Sequence, residues 1–152
     1  MVTTKTKKKK IKIWLGLLII LGIIALIGVI ALLADAPLRH ELKTLDIGNI
    51  DFAKLHDGTY VGEYKAIKGD SRNATVEVTI SRDKITKINI LKGAIDSDGK
   101  LVELSDGKTI DDLFQRVIKS ESLQVDAISG ATLTSKAHLK ALEKALKQAL
   151  EE

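Results

Sequence analysis

Near its C-terminus the chain reads Asp126-Ala127-Ile128-Ser129-Gly130-Ala131-Thr132-Leu133-Thr134-Ser135, and a helix-period pattern follows at once. The chemistry open to these residues starts from the helix entry. The N-terminus of a helix presents unpaired backbone N–H groups and partial positive charge, a ready seat for a phosphate. Gly130 and Ala131 allow a phosphate close to the backbone, and the hydroxyls of Ser129, Thr132, Thr134 and Ser135 can donate to its oxygens or form an ester with it. The bland reading stands beside this one: Thr132, Thr134 or Ser135 caps the helix and Gly130 makes the sharp entry. The stretch is not a Walker A loop, because no Gly-Lys-Ser/Thr follows. His138 lies four residues after Thr134, but His40, His56 and His138 form no triad pattern, and His138 reads as an exposed helix histidine.

The elements that must position this stretch lie on either side of it. After it, Ala137, Ala141, Leu142, Ala145, Leu146, Ala149 and Leu150 mark the apolar stripe of a terminal helix from about Ser135. Its alanines suit close packing on a sheet or helix, and lysines and glutamates fill the other face. Before it, Thr109 caps a helix with Asp111 and Asp112 in its first turn. That helix carries Ile110, Leu113, Phe114, Val117 and Ile118 on one face, and it ends near Lys119-Ser120. Leu123 and Val125 suggest a short strand. Upstream, Asp57-Gly58 turns the chain into a strand over Thr59 to Ala66, in which Gly62 marks a bulge or a close backbone approach. Ala74 to Ser81 alternates, with Val76, Val78 and Ile80 on one face; Arg82-Asp83-Lys84 turns; Ile85 to Leu91 returns with Ile88 and Ile90 inward. Lys68 to Asn73 reads as a polar loop. Asp96-x-Asp98 lacks the rest of a calcium loop and reads as an exposed turn. The outcome is an α+β domain, a small antiparallel sheet with packed helices, preceded by one transmembrane helix.

The transmembrane expectation rests on Ile13 to Ala34, 22 residues without a charge. As a helix this run spans roughly 33 Å, enough for a hydrocarbon core of about 30 Å. Six lysines and no acid precede it within residues 1–12, which holds that end in the cytoplasm, and Trp14 sits where an interfacial aromatic belongs. A cleaved signal peptide is the competing reading, with Ala34-Asp35-Ala36 as its small-x-small site. The apolar run exceeds the usual signal length, and Pro37 would follow the cut. The organisation is then a basic cytoplasmic tail (1–12), a membrane helix (13–34), a stalk (35–56) and an extracytoplasmic domain (57–152). Leu38, Leu42 and Leu45 fall on one helix face in the stalk.

Composition narrows the classes. The net charge of +4 belongs to the tail: residues 13–152 hold 18 basic and 20 acidic residues. Together with 3 % aromatics, this argues against nucleic acid as a partner. The absence of cysteine excludes disulfides, thiolate metal sites and Cys nucleophiles.

The pattern Asp126-x-x-Ser129-Gly130-Ala131-Thr132-x-Thr134-Ser135 resembles the flavinylation motif of the FMN-binding domain family. That family includes the FMN-carrying subunits of the sodium-pumping NADH:quinone reductase and of the related ferredoxin:NAD oxidoreductase, and small extracellular flavoproteins. Asp57-Gly58-Thr59-Tyr60-Val61-Gly62 and the hairpin after it also resemble the start of that domain, so the likeness runs from about Asp57 to Leu150. It implies FMN linked through its phosphate to Thr132 by a flavin transferase that splits FAD. It further implies that Asp126 belongs to the pattern the transferase reads, and that Ser129, Gly130, Ala131, Thr134 and Ser135 shape the phosphate loop. Ala127 departs from the glycine common at its place. Gly93-Ala94-Ile95-Asp96 lacks a His-x-Glu-type segment seen in many members, so no isoalloxazine contact is assigned. The function so implied is a bacterial, membrane-anchored, extracytoplasmic electron carrier of unspecified redox donor and acceptor, rather than a self-contained enzyme. An anchored binding module without redox activity is the alternative.

Overall fold

The computed structural model describes residues 14, 16–30, 44–67, 70 and 72–151. The chain divides into two units, Met1–Pro37 and Leu38–Glu152. In the first unit, Trp14 and residues 16–30 (α1) are helical, and their large apolar side chains, from Leu17 to Ile30, are exposed. Among the described residues no helix is long and apolar enough to cross a membrane. The rest of the expected span over 13–34, and most of the helix expected at Leu38 to Leu45, fall outside the described residues.

The second unit is α+β. A short 3-10 turn, Phe52–Lys54, leads into β1 (Gly58–Tyr64), β2 (Ala74–Ser81) and β3 (Lys84–Lys92), and then into helices α2 (Ile110–Ser120) and α3 (Thr132–Glu151). The strands form one antiparallel sheet in the order β1-β2-β3. Arg82 and Asp83 form a two-residue hairpin turn, both with positive φ (56° and 59°), as the twist of such a hairpin demands. A register shift between Thr79 and Ile80 pairs Ile80 with Ile85 and Thr79 with Lys87. The bulge skips Thr86, so Ile85 and Ile88 both reach the core side although they stand three positions apart. Leu123 and Val125 form no strand; the chain there runs without a ladder partner, and Leu123 is buried on its own account.

The core lies between the sheet and the helices. Tyr60, Tyr64, Val76, Val78 and Ile80 meet Ala137, Ala141, Leu142, Ala145 and Leu146 of α3 and Leu113, Phe114 and Val117 of α2. Gly62 is the point of closest approach. A Cβ there would lie 2.0 Å from the Ala141 carbonyl and 2.5 Å from the Ala145 nitrogen. Of the two readings of Gly62, close approach holds, and the alanines of α3 make it possible.

The polar face of α3 is covered as well. Residues 44–56 lie along it: Lys136 Nζ donates to Leu45 O (3.3 Å), Lys140 Nζ to Asp46 O (2.8 Å), and Gln124 Nε2 to Ile47 O (2.8 Å). The His56 N–H bonds Ala149 O at 2.9 Å, and Leu55 enters the core. Under this segment Glu143 is fully buried, with its carboxylate held by Lys140 (2.7 Å) and Lys147 (2.6 Å). Burial raises the Glu143 pKa, but the hydrogen bonds from Lys140, Lys147 and the Gly48 backbone outweigh it and the net direction is down. The lysine- and glutamate-bearing face of α3 is therefore partly buried, because a segment distant in sequence crosses it.

Candidate functional site

The chain enters α3 through a tied loop. Ser135, fully buried, accepts the Ile128 N–H at 3.1 Å and donates its own proton to Ala131 O at 3.0 Å. Its backbone N–H also bonds Ala131 O, at 2.9 Å. The Ala131 N–H closes a tight turn on Ile128 O (3.0 Å), with Gly130 at φ +78°. The helix thus begins at Thr132, three residues before the expected start, and the residue ahead of it is Ala131. None of the three hydroxyls expected as caps serves as one. Ser135 points backward into the loop, and Thr132 and Thr134 stand inside the first turn.

Helical geometry leaves the N–H groups of Thr132, Leu133 and Thr134 without intrahelical partners. No hydrogen bond to them forms among the described residues, and α3 has no acidic residue in its first turn. The Thr132 hydroxyl is exposed and takes part in no hydrogen bond among the described residues. An open cleft of ≈ 510 Å³ faces it, lined by Arg72, Leu104, Gly130, Ala131, Thr132, Leu133 and Thr134. Arg72 Nη1 donates to Thr134 Oγ1 at 3.5 Å. Ser105 lies behind Gly130: a Cβ on that glycine would come within 3.0 Å of Ser105 Oγ.

The expected site residues are thus only partly gathered. Thr132, Thr134, Gly130 and Ala131 share the cleft. Ser129 is exposed on the loop before it, and Ser135 acts underneath. Asp126 stands apart, in a separate hollow with Arg116, Lys119, Ser120, Gln124 and Val125; its carbonyl accepts from Arg116 Nη1 at 3.0 Å.

Arg72 and Leu104 line the cleft without having been expected there. Arg72 stands 62 residues from the Thr134 hydroxyl it bonds, and nothing local marks it. His138 is corrected too. It is buried at 2 % exposure under the first turn of α3, its ring 6.4 Å from that of Phe114 and Nδ1 2.8 Å from Thr134 O. A carbonyl only accepts, so Nδ1 carries the proton. Nε2 faces the backbone at Gly93 without a hydrogen bond of good geometry. Burial lowers the His138 pKa, and the bond to the Thr134 carbonyl and the nearby Gly93 backbone offset only part of that. The Gly93 corner, distant in sequence, covers the ring. Asp96 makes the expected turn, accepting the N–H groups of Asp98 (2.9 Å) and Lys100 (2.8 Å) on one oxygen.

The residues present fit a phosphate: free N–H groups, a guanidinium, small residues on the approach and an unused hydroxyl at one mouth. A sequence model of the FMN-binding domain family matches residues 69–147, just over half of the chain, from the Arg72 loop through Thr132 to most of α3. The chain is also similar to the crystal structure of the CPE2226 protein from Clostridium perfringens, at 24 % identity and a TM-score of 0.46, over 64 % of this chain and 90 % of that one. No curated relative matches.

Proposed function

We propose, from the premise that the chain belongs to the FMN-binding domain family, that it carries electrons through FMN esterified to Thr132. The observation that carries this reading is the Thr132 hydroxyl, exposed and unbonded at a bare helix N-terminus. In the attachment the Thr132 oxygen forms a bond to the FMN phosphorus of FAD. The pyrophosphate P–O bond breaks, AMP leaves and the hydroxyl proton is released. An FAD-dependent flavin transferase would catalyse this and read Asp126 in doing so. When bound, FMN supplies one- and two-electron transfer. The chain's own part is to hold the phosphate. The N–H groups of Thr132, Leu133 and Thr134 would hold it, Ser135 fixes the loop that carries Thr132, and Leu104 gives the cleft an apolar wall.

The anchor belongs to the same reading. The uncharged run 13–34 and the exposed apolar side chains of 16–30 support a single membrane span. The lysine-rich tail supports a cytoplasmic N-terminus and an extracytoplasmic domain in a bacterial cell membrane. A covalent link suits that location, since a reversibly bound cofactor would be lost to a large volume.

Co-expression with a flavin transferase and measurement of intact mass tests the proposal. The expected result is an added mass equal to FMN that is absent from Thr132→Ala. A wild-type chain without the adduct would leave an anchored binding module as the reading. For the orientation, protease added outside intact cells should cleave within 57–152, and full protection of that region would reverse it.

A further inference from the structure

The entry to α3 gathers positive charge from two sources. The helix dipole puts partial positive charge there, and the first turn holds no acid. The Arg72 guanidinium stands in the same cleft, half-buried, and forms no ion pair among the described residues. Asp70, the carboxylate nearest to it in sequence, uses Oδ1 to accept from Asn73 Nδ2 at 2.7 Å. Asn73 in turn accepts the Ala66 N–H at 2.9 Å, so the base of the loop presenting Arg72 is braced. A cation beside the positive end of a helix costs free energy unless an anion lies between them. The guanidinium instead contacts Thr134, two residues on from Thr132 in the same first turn.

We infer that Arg72 is the counter-charge of the flavin phosphate, a positioning residue that clamps the phosphoester on Thr132 against α3. The inference rests on the flavin reading of the site. A phosphodiester bears one negative charge on two non-bridging oxygens, which a guanidinium and the first-turn N–H groups can share. Arg72 acts on where the phosphate sits, and so on how firmly the cleft holds the rest of the cofactor.

Two arms test it on the full-length chain in detergent. In the first, the unflavinylated protein is titrated with riboflavin 5′-phosphate and with riboflavin, and the amide signals of Thr132, Leu133 and Thr134 are followed by NMR. The phosphate form should move these signals and riboflavin should not. Arg72→Ala should bind the phosphate form roughly tenfold more weakly, the effect of losing one charge-assisted hydrogen bond, and Arg72→Lys should fall between. Equal binding by Arg72→Ala and wild type, or equal shifts with riboflavin, overturns the inference. In the second arm, the flavinylated protein is read by fluorescence anisotropy. The flavin of Arg72→Ala should move more freely than that of wild type at an unchanged melting temperature; equal anisotropy overturns the clamp. A missing adduct in wild type sinks the Thr132 reading alone, and the titration still decides Arg72.

Discussion

Two helices of this domain begin in opposite ways. At α2 the first turn is closed on itself. The Asp112 carboxylate takes the Thr109 N–H at 2.7 Å, and Asp111 and Asp112 oppose the dipole. That hydrogen bond holds the Asp112 pKa below its ordinary value. At α3 the first turn has no side-chain cap and no acid, and a guanidinium stands beside it. The apolar faces of both helices are buried in one core, so packing does not separate their beginnings. The α2 entry serves stability. The α3 entry leaves its donors open, which is what a phosphate seat requires.

The sharpest way to break this contrast is to remove the fixture under the α3 entry. Ser135→Ala strands the buried Ile128 N–H and should cost about 1–3 kcal/mol, read by chemical denaturation. It should also lower the flavinylated fraction, since Thr132 is no longer aimed. A smaller effect of opposite sign comes from giving α3 what α2 has. Ala131→Asp places a capping carboxylate at the helix entry and should raise stability by about 1 kcal/mol. It should also weaken FMN binding, because the new carboxylate takes the place of the phosphate. Gain of stability without loss of binding would show that the open entry has nothing to do with an anion. Asp112→Asn, the converse change at α2, should lower the melting temperature and leave the flavinylated fraction unchanged.

The smallest effect is a pH dependence that begins on the α3 side. His138 is held below its ordinary pKa of 6.5 by burial, so the unfolded chain binds the extra proton first. Stability should therefore begin to fall as pH drops below about 6.5. Glu143, whose folded pKa lies below 4.5, adds to the loss at more acidic pH. Melting curves across this range, with the His138 ring signal followed by NMR, check the assignment. A His138 pKa at or above 6.5 would contradict the burial argument.

Which parts were legible in the sequence follows from range. The α2 cap, the Arg82-Asp83 turn, the β2 alternation and the Ser-Gly-Ala-Thr pattern are local, and each residue type acts within a few positions of itself. The start of α3 was misjudged because three hydroxyls competed for the cap. Ser135 is decided by its bonds to Ile128 and Ala131, and the cap falls to an alanine with no signal of its own. His138, Glu143 and Arg72 could not be placed from periodicity. His138 is covered by the Gly93 corner and Glu143 by residues 44–50, while Arg72 reaches Thr134 across 62 positions. Helical spacing describes a helix alone and says nothing of the segments that later cross it.

The most direct measurement is fragment mass mapping of the flavinylated chain. The account predicts that the mass of FMN resides on Thr132, with Ser129, Thr134 and Ser135 unmodified, and that Thr134→Ala keeps the adduct. A flavin ester found on Thr134 or Ser129, or a chain that gains no flavin beside an active transferase, would contradict it.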